Sequence, residues 1–253
     1  MLFDSIVYGP IRSRRLGVSL GMNLMPTTAK LCTFDCVYCE CGWNQPVSHP
    51  VLPTREQVRE ALASRHIALS SNQLDVITFS GNGEPTLHPE FLGIIEDTCA
   101  LRERYCPKAK ISVLSNSTQL GRADVVKALR MCDNRILKLD SAIDATMRLI
   151  DKPVNENLTV EQVAEWLSLF EGDFTLQTCF LRGEYEGQVI DNTTPEELSA
   201  WYTMIERLRP KQVMIYVIDR ATPLQTLTKV PAAEMEAIAA PLREKGIDVV
   251  VSA

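Results

Sequence analysis

The segment Leu31-Cys-Thr-Phe-Asp-Cys-Val-Tyr-Cys-Glu-Cys-Gly42 is the most informative stretch of this chain. It places Cys32, Cys36 and Cys39 in one short loop, with three and then two residues between them. Neither a helix, with about 3.6 residues per turn, nor a strand, with a period of two, turns these three positions towards one another. The segment is therefore predicted to be a loop that wraps around a metal centre bound by thiolates.

A fourth cysteine in the same loop leaves two other metal sites open. Cys41 follows Cys39 by two residues, so the count would also fit a zinc site or a closed electron-transfer cluster with four cysteines. Structural zinc sites usually combine two well-separated pairs of ligands. The remaining cysteines occur singly along the chain, and we interpret them as small core residues: Cys99, Cys106, Cys132 and Cys179.

The CxxxCxxC spacing, with Tyr38 just before the last cysteine, resembles the cluster loop of radical S-adenosylmethionine (SAM) enzymes. The resemblance implies that residues 26–42 form a cluster-binding loop and that Cys32, Cys36 and Cys39 bind a [4Fe–4S] cluster. Three protein ligands leave one iron open to a further ligand, which in this family is SAM. The resemblance also implies that Tyr38 presents its backbone or ring to the adenine of SAM.

The composition is that of an ordinary globular enzyme. Of 253 residues, 45% are apolar and 23% are charged, enough for one large domain or two small ones. The net charge of −6 argues against stable nucleic-acid binding, which needs clustered Lys and Arg. We find no signal peptide and no run of about 18 apolar residues. Together with the thiolate loop, these features predict a cytoplasmic protein without a membrane span.

Short β-rich runs alternate with helical patterns along the chain. The predicted strands cover residues 17–24, 76–80, 111–115, 136–140, 174–181, 213–218 and 249–251. The predicted helices lie near residues 54–68, 89–105, 123–131, 144–149, 159–170, 194–207 and 233–245. Thr54 and Gln57 are expected to form a capping box, and Asp144 and Thr159 to cap later helices.

This alternation predicts an α/β fold. Several strands are continuously apolar, as parallel strands buried on both faces are, and repeated βα units give a doubly wound sheet or a barrel. The family resemblance selects a partial (β/α)6 radical-SAM barrel. We expect a single domain over residues 1–253, with residues 1–15 as an N-terminal segment.

In such a barrel, function collects where strands end. The second predicted strand is followed by Ser80-Gly-Asn-Gly-Glu-Pro-Thr-Leu-His-Pro89, which resembles the family's GGE motif, with asparagine where many members have a second adjacent glycine. The resemblance implies that the following residues bind SAM: Gly81, Asn82, Gly83, Glu84 and Pro85. Backbone carbonyls and the Glu84 carboxylate would accept hydrogen bonds from its amino group. The alternative is a plain turn, with His88 at the start of the next helix.

The next two strand ends carry further candidates. Ser115 and Asn116 would contact the ribose hydroxyls or carboxylate of SAM, as similar positions do in the family, or else cap the next helix. Lys138 and Asp140 lie on the same face of their strand, because side chains alternate. A charged pair inside a barrel costs desolvation unless it has partners. The pair is therefore predicted either to face the cofactor or to form a structural ion pair.

Several arginines near strand ends are weaker candidates. Arg182 and Arg220 each stand at or just past a strand end, where a guanidinium could hold a carboxylate or phosphate. A small basic cluster precedes the first predicted strand, and we interpret it as solvated charge: Arg12, Arg14 and Arg15.

Four segments together resemble one branch of the superfamily, the small iron–sulfur oxidoreductases similar to wyosine-synthase-like (tRNA-modifying) proteins. They are residues 8–17, the cluster loop, the glycine turn and residues 215–220. Wyosine enzymes carry a second cluster bound by cysteines before the loop, and this chain has no cysteine before Cys32. A second cluster of that kind is not expected.

The sequence therefore predicts a radical SAM enzyme. Its [4Fe–4S] cluster would reductively cleave SAM to a 5′-deoxyadenosyl radical that abstracts hydrogen from a protein or peptide, a small molecule or a nucleotide. A flavodoxin or ferredoxin is expected as electron donor. The alternatives are an electron-transfer protein with Cys41 as fourth ligand, a zinc-stabilised binding module and, within the enzyme class, modification of a tRNA base.

Overall fold

The computed structural model describes residues 2–13, 15–65 and 74–253. The chain forms two compact units, the first from Met1–Cys32 and Asn44–Ile136 and the second from Thr33–Trp43 and Leu137–Ala253. Each unit holds part of the cysteine loop, with Cys32 in the first unit and the later cysteines in the second. That the whole chain is a single domain stays a prediction.

Strands and helices alternate through the described residues. The strands are β1 (Val7–Ser13), β2 (Gly17–Met22), β3 (Val76–Phe79), β4 (Lys110–Ser115), β5 (Asn134–Lys138), β6 (Thr175–Cys179), β7 (Leu181–Tyr185), β8 (Gln188–Asp191), β9 (Gln212–Tyr216), β10 (Thr228–Lys229) and β11 (Asp248–Ser252). The helices are α1 (Arg55–Ala63), α2 (Phe91–Tyr105), α3 (Ala123–Met131), α4 (Asp144–Asp151), α5 (Val160–Ser168), α6 (Pro195–Leu208) and α7 (Ala232–Glu244). A 3-10 turn covers Pro85–Leu87.

The strands of the first unit follow the order β1-β2-β3-β4-β5. Only the first three residues of β5 belong to this unit, and its last two belong to the second. β1 is antiparallel to β2, whereas β2, β3 and β4 are parallel, with Ser19 opposite Val76 and Val76 opposite Lys110. All four residues of β3 are buried, as expected for a parallel strand covered on both faces. The rings of Phe79 on β3 and Phe91 on α2 pack edge to face, with centroids 6.3 Å apart.

The second unit contains the parallel strands β6, β9 and β11, with Thr175 and Asp248 on either side of Gln212. A separate antiparallel sheet has the order β10-β7-β8. Helix α6 covers the parallel strands, and its Trp201 packs against Phe180 with ring centroids 5.1 Å apart. Both rings are fully buried, and each burial stabilises the fold by about 2–3 kcal/mol.

The helix predictions are confirmed to within a few residues, apart from residues 66–68, which lie outside the described residues. Gln57 N donates to Thr54 Oγ1 and Thr54 N to Gln57 Oε1, which confirms the capping box. Thr159 caps α5 as predicted. The predicted cap at Asp144 is wrong, because Ile143 occupies the N-cap of α4. The Asp144 carboxylate instead accepts a hydrogen bond from Val160 N, the first amide of α5.

The strands predicted at 17–24, 136–140 and 213–218 each end two residues earlier than predicted, and β8 and β10 were not predicted. Two further differences have local reasons. Residues 174–181 were predicted as one strand, but the chain leaves the parallel sheet after Cys179 and β7 begins at Leu181. The Asn192 side chain accepts from Leu181 N and donates to Cys179 O, so it satisfies the backbone where the ladder breaks. β1 was not predicted, because Gly9 and Pro10 interrupt its pattern. The pairing with β2 has an irregularity there.

Candidate active site

The cysteine segment is a loop of tight turns, as predicted. Cys39 N donates to Cys36 O at 3.0 Å, and Gly42 N donates to Cys39 O at 2.9 Å. Gly42 has φ +85°, a backbone conformation that suits glycine. Cys36 is buried, whereas Cys32, Cys39 and Cys41 are half-buried, and within the described residues none of the four forms a disulfide.

In the first unit, the glycine turn is hydrogen-bonded to Leu31, the residue that precedes Cys32. Leu31 N donates to Asn82 O at 2.9 Å, and Glu84 N donates to Leu31 O at 3.0 Å. A β-carbon at Gly83 would lie only 1.8 Å from Leu31 O, and Gly83 has φ +138°. Only glycine fits this position. The structure therefore joins the predicted SAM-binding turn to the start of the cysteine loop through backbone hydrogen bonds.

The Asn82 side chain braces this turn from behind. Its Nδ2 donates to Phe3 O and to Pro26 O, both at 2.8 Å, and its Oδ1 accepts from Phe3 N at 2.8 Å. Asn82 N donates to Asn23 Oδ1 at 3.0 Å. The carboxamide is fully buried and ties two distant backbone segments to the turn. From the sequence, Asn82 was predicted to contact SAM, and its bracing role was not predicted.

Glu84 connects the turn with the end of β4. Its Oε2 accepts from Asn116 N at 2.7 Å, and its Oε1 accepts from Thr86 N at 3.1 Å and from Thr86 Oγ1. Burial raises the pKa of Glu84, although hydrogen bonds from Asn116, Thr86 and Ser115 oppose the rise. The carboxylate is thus a fixed acceptor whose two oxygens organise the surrounding backbone.

Asn116 links the same network to the first cysteine. Its Nδ2 donates to Cys32 Sγ at 3.5 Å, while its Oδ1 accepts from Thr118 N and Thr118 Oγ1. The Ser115 hydroxyl accepts from Ser117 N. Neither Ser115 nor Asn116 caps the next helix, because the N-cap of α3 is Arg122. In the first unit, Cys32, the glycine turn and the end of β4 therefore form one hydrogen-bonded cluster.

In the second unit, Lys138 lies next to Cys36. Its Nζ is 3.0 Å from Cys36 Sγ, 2.9 Å from Asp140 Oδ2 and 2.6 Å from Asp151 Oδ1. Burial lowers the pKa of Lys138, but the nearby carboxylates of Asp140 and Asp151 raise it well above its ordinary value. The predicted pairing of Lys138 with Asp140 is present. Asp151, at the end of α4, was missed, because no sequence pattern connects it with β5.

Tyr38 is tied to the same charged group. Its hydroxyl donates to Asp140 Oδ2 and accepts from the Tyr216 hydroxyl at 3.4 Å. Burial, reinforced by the Asp140 charge, raises the pKa of Tyr38 well above its ordinary value. Asp140 Oδ1 accepts from Cys179 N at 2.8 Å, which fixes the carboxylate. The ring of Tyr38 is held by its hydroxyl, and its backbone forms part of the cysteine loop.

The two strand-end arginines pair with carboxylates of the chain itself. Arg182 lies 3.3 Å from Asp191 Oδ2 and 2.6 Å from Glu234 Oε2. Arg220 lies 2.7 Å from Glu40 Oε2, on the residue after Cys39, and both side chains of this pair are exposed. Arg14 of the basic cluster lies outside the described residues. Arg220 therefore contacts the cysteine loop.

Within the described part of the chain, no three Cys, His, Asp or Glu side chains are grouped tightly enough to hold a single metal ion. Each ligand of a cubane cluster binds a different iron, so such ligands need not converge on one point. The residues present fit a cluster in two respects. The loop supplies cysteines that form no disulfide within the described residues, and N–H donors from Lys138 and Asn116 lie beside the sulfurs of Cys36 and Cys32.

Comparison with known proteins settles the family. The sequence profile described as Radical SAM superfamily matches residues 27–190. The chain belongs to the radical SAM superfamily. The match includes the cysteine loop, the glycine turn and the ends of β4 and β5. As a radical SAM protein, the chain is a SAM-dependent iron–sulfur enzyme, and its cofactors are SAM and a [4Fe–4S] cluster.

Curated relatives include proteins named UPF0026. One from Synechocystis sp. is 31% identical over 226 residues, which are 87% of this chain and 77% of the relative. A Brachyspira hyodysenteriae protein named GTPase Obg is 27% identical over 234 residues, or 91% of this chain. The radical SAM chain spans only 32% of that protein's length.

Solved structures show the same fold. Streptococcus suis SuiB bound to S-adenosylmethionine superposes with a TM-score of 0.64 and 10% identity over 89% of this chain and 48% of SuiB. TYW1 with a lysine-pyruvate adduct gives a TM-score of 0.64 and 17% identity over 89% of this chain and 73% of TYW1. The predicted α/β fold of a partial radical SAM barrel is thereby confirmed. Among the described residues, no helix is long and apolar enough to cross a membrane.

Proposed function

We propose that Cys32, Cys36 and Cys39 each bind one iron of the [4Fe–4S] cluster and that SAM binds beside the glycine turn. When bound, the two cofactors supply a 5′-deoxyadenosyl radical, formed by one-electron cleavage of SAM, that abstracts a hydrogen atom from the substrate. The chain's own residues bind and orient these groups and keep water away from them.

The observation that carries this proposal is the backbone pairing of Leu31 with the glycine turn. Leu31 immediately precedes Cys32, and its N–H and carbonyl pair with Asn82 O and Glu84 N. The turn therefore cannot move independently of the first cysteine. A ligand that binds both an iron and the turn needs this fixed relation, because a displacement of about 1 Å weakens such positioning strongly.

The proposed SAM contacts are made by groups of the turn that are not already hydrogen-bonded to distant parts of the chain. The backbone of Gly81, Gly83 and Pro85 would contact the amino group of SAM, and Glu84 would fix the turn. Asn82 supports the turn from behind, since its carboxamide is saturated by Phe3 and Pro26.

Five further side chains complete the proposed cofactor site. Ser115 and Asn116 lie in the cluster that contains Cys32 and would face the ribose or carboxylate of SAM. Lys138 and Asp140 lie beside Cys36, together with Tyr38. We assign the adenine to the neighbourhood of Tyr38, because the tyrosine hydroxyl is held by Asp140 and the ring has a fixed orientation.

The proposal requires an external one-electron donor of the flavodoxin or ferredoxin type. Its substrate is an organic molecule with an abstractable hydrogen, in the classes protein or peptide, small molecule or nucleotide. The net charge of −6 disfavours a tRNA base as substrate, because phosphate contacts need clustered basic residues. A cytoplasmic location is part of the proposal, since cysteines that bind a cluster are kept reduced in a reducing compartment.

The test is anaerobic reconstitution with iron and sulfide, followed by addition of dithionite and SAM. Chromatography should detect 5′-deoxyadenosine and methionine. A Cys39→Ala variant should lose both bound iron and cleavage. Cys99→Ala is the matched control, because Cys99 is also half-buried but lies on α2, outside the loop. Absence of 5′-deoxyadenosine from a fully loaded wild-type protein would refute the proposal.

A further inference from the structure

The ammonium of Lys138 has three close partners in the second unit, two in ion pairs and one in a hydrogen bond. They are Asp151 Oδ1 at 2.6 Å, Asp140 Oδ2 at 2.9 Å and Cys36 Sγ at 3.0 Å. The Nζ also lies over the Tyr38 ring, 4.6 Å from its centroid. A flexible surface lysine would not be oriented in this way. Two carboxylates hold the ammonium so that one N–H is directed at the sulfur.

All three charged groups are removed from solvent. The side chain of Lys138 is 10% exposed, that of Asp140 is fully buried and that of Asp151 is 2% exposed. Charges in such surroundings interact more strongly than they do in water, because water screens them little. A buried ammonium in contact with a sulfur therefore exerts a large and fixed electrostatic effect on whatever that sulfur binds.

We infer that Lys138 is a positioning residue that donates an N–H···S hydrogen bond to Cys36 and thereby sets the reduction potential of the cluster. The inference rests on the proposed role of Cys36 as an iron ligand. Hydrogen bonds to cluster sulfurs and nearby charge are among the factors that control such potentials. This role differs from a contact with SAM, because it acts on the cluster before SAM is present.

The sign of the effect follows from charge. One electron, delivered by an external one-electron reductant, adds one negative charge to the cluster and its ligands. A neighbouring cation stabilises the reduced form and raises the potential, whereas a neighbouring carboxylate lowers it. Lys138 and Asp151 should therefore act in opposite directions, although both belong to the same buried group.

The experiment is a potentiometric titration of the reconstituted, SAM-free protein, monitored by electron paramagnetic resonance. Lys138→Met should lower the equilibrium constant for one-electron reduction at least tenfold, which is about 59 mV for a one-electron couple. Lys138→Arg keeps the charge and should stay closer to the wild type. Asp151→Asn keeps the ammonium next to Cys36 and should shift the potential upwards.

Lys138→Met leaves two buried carboxylates without their cation and is expected to weaken folding. The double variant Lys138→Met/Asp151→Asn removes one charge of each sign. Its comparison with Asp151→Asn alone gives the effect of the lysine on the reduction potential. A lower potential in the double variant than in Asp151→Asn supports the inference. An unchanged potential in loaded Lys138→Met, and equal potentials in the double variant and Asp151→Asn, overturn the inference, even if SAM affinity falls. Wild-type protein that binds no iron would refute the proposed function along with the inference.

Discussion

Gly83 has no space for a side chain, because the carbonyl oxygen of Leu31 lies 1.8 Å from the position that its β-carbon would occupy. The turn and the residue before Cys32 are thus in backbone contact, and hydrogen bonds from Leu31 N and Glu84 N reinforce it. This contact is the physical reason why the turn requires glycine at position 83.

Replacement of Gly83 by alanine should therefore disrupt both folding and SAM binding. We expect Gly83→Ala to lower the free energy of unfolding by about 2–5 kcal/mol, from a clash with backbone and from the positive φ. Chemical denaturation of the anaerobic protein measures the loss. Gly187→Ala is the matched control, because Gly187 has φ +77° but no atom within 4 Å of the added carbon.

For Gly187→Ala only the conformational cost of about 1–2 kcal/mol applies. SAM binding should be unchanged in this control, because Gly187 lies in the turn between β7 and β8. Equal losses of unfolding free energy for Gly83→Ala and Gly187→Ala would show that the contact with Leu31 does not restrict position 83 to glycine.

The bracing of the glycine turn by Asn82 gives a second prediction. Asn82→Ala removes three hydrogen bonds and leaves Phe3 and Pro26 carbonyls without their donor, at an expected cost of about 2–4 kcal/mol. Asn82→Asp should be at least as harmful, because a carboxylate would face both carbonyl oxygens. Thermal unfolding of the two variants measures this order.

An exposed asparagine provides the control for this pair of variants. Asn155 Oδ1 accepts a local hydrogen bond from Asn157 N, and Asn155→Ala should change the stability by less than about 1 kcal/mol. A tolerated Asn82→Asp substitution would contradict the proposed donor role of the Asn82 side chain.

A pH dependence is expected from the ion pair between α1 and α2. Arg55 Nε and Nη2 both donate to the Asp97 carboxylate at 2.7 Å, and this hydrogen bonding holds the pKa of Asp97 below its ordinary value. A lowered carboxyl pKa stabilises the folded state above the unfolded value of about 4. The stabilisation is lost as the pH falls from there towards the lowered pKa.

Asp97→Asn should therefore cost about 0.5–1 kcal/mol at pH 7, as a partly exposed pair does. The difference between variant and wild type should shrink as the pH falls below about 4. Denaturant titrations at pH 7, 5 and 3.5 measure this trend. A constant difference across the series would mean that Asp97 acts through packing and not through its charge.

The sequence predicted those features that depend on local patterns. The helices follow from amphipathic periodicity and from caps such as Thr54, and the buried strands follow from continuous apolar runs. Lys138 and Asp140 were expected on one face because side chains alternate along a strand. They do form an ion pair, but β5 ends at Lys138, so Asp140 lies two residues beyond the strand.

Features that depend on tertiary placement were not predictable in this way. Asp151 reaches Lys138 only because α4 ends beside the cysteine loop, where Val37 N donates to Ile150 O. Asn82 was interpreted from its place in a motif, but its partners at Phe3 and Pro26 are more than fifty residues away in sequence. No periodicity in the sequence encodes such contacts.

The last prediction concerns the fourth cysteine of the loop. A hydrogen bond from Gly42 N to Cys39 O closes a turn that contains Cys41, so Cys41 is confined to the turn that begins at Cys39. We expect Cys41→Ala to retain iron, sulfide and SAM cleavage, whereas Cys36→Ala should lose all three. Iron and acid-labile sulfide per chain, together with the effect of SAM on the reduced cluster's paramagnetic resonance spectrum, measure this.

If Cys41→Ala also lost its iron and SAM left the wild-type spectrum unchanged, all four irons would be bound by cysteines. The chain would then have the closed cluster of an electron carrier, because no iron would be accessible to SAM.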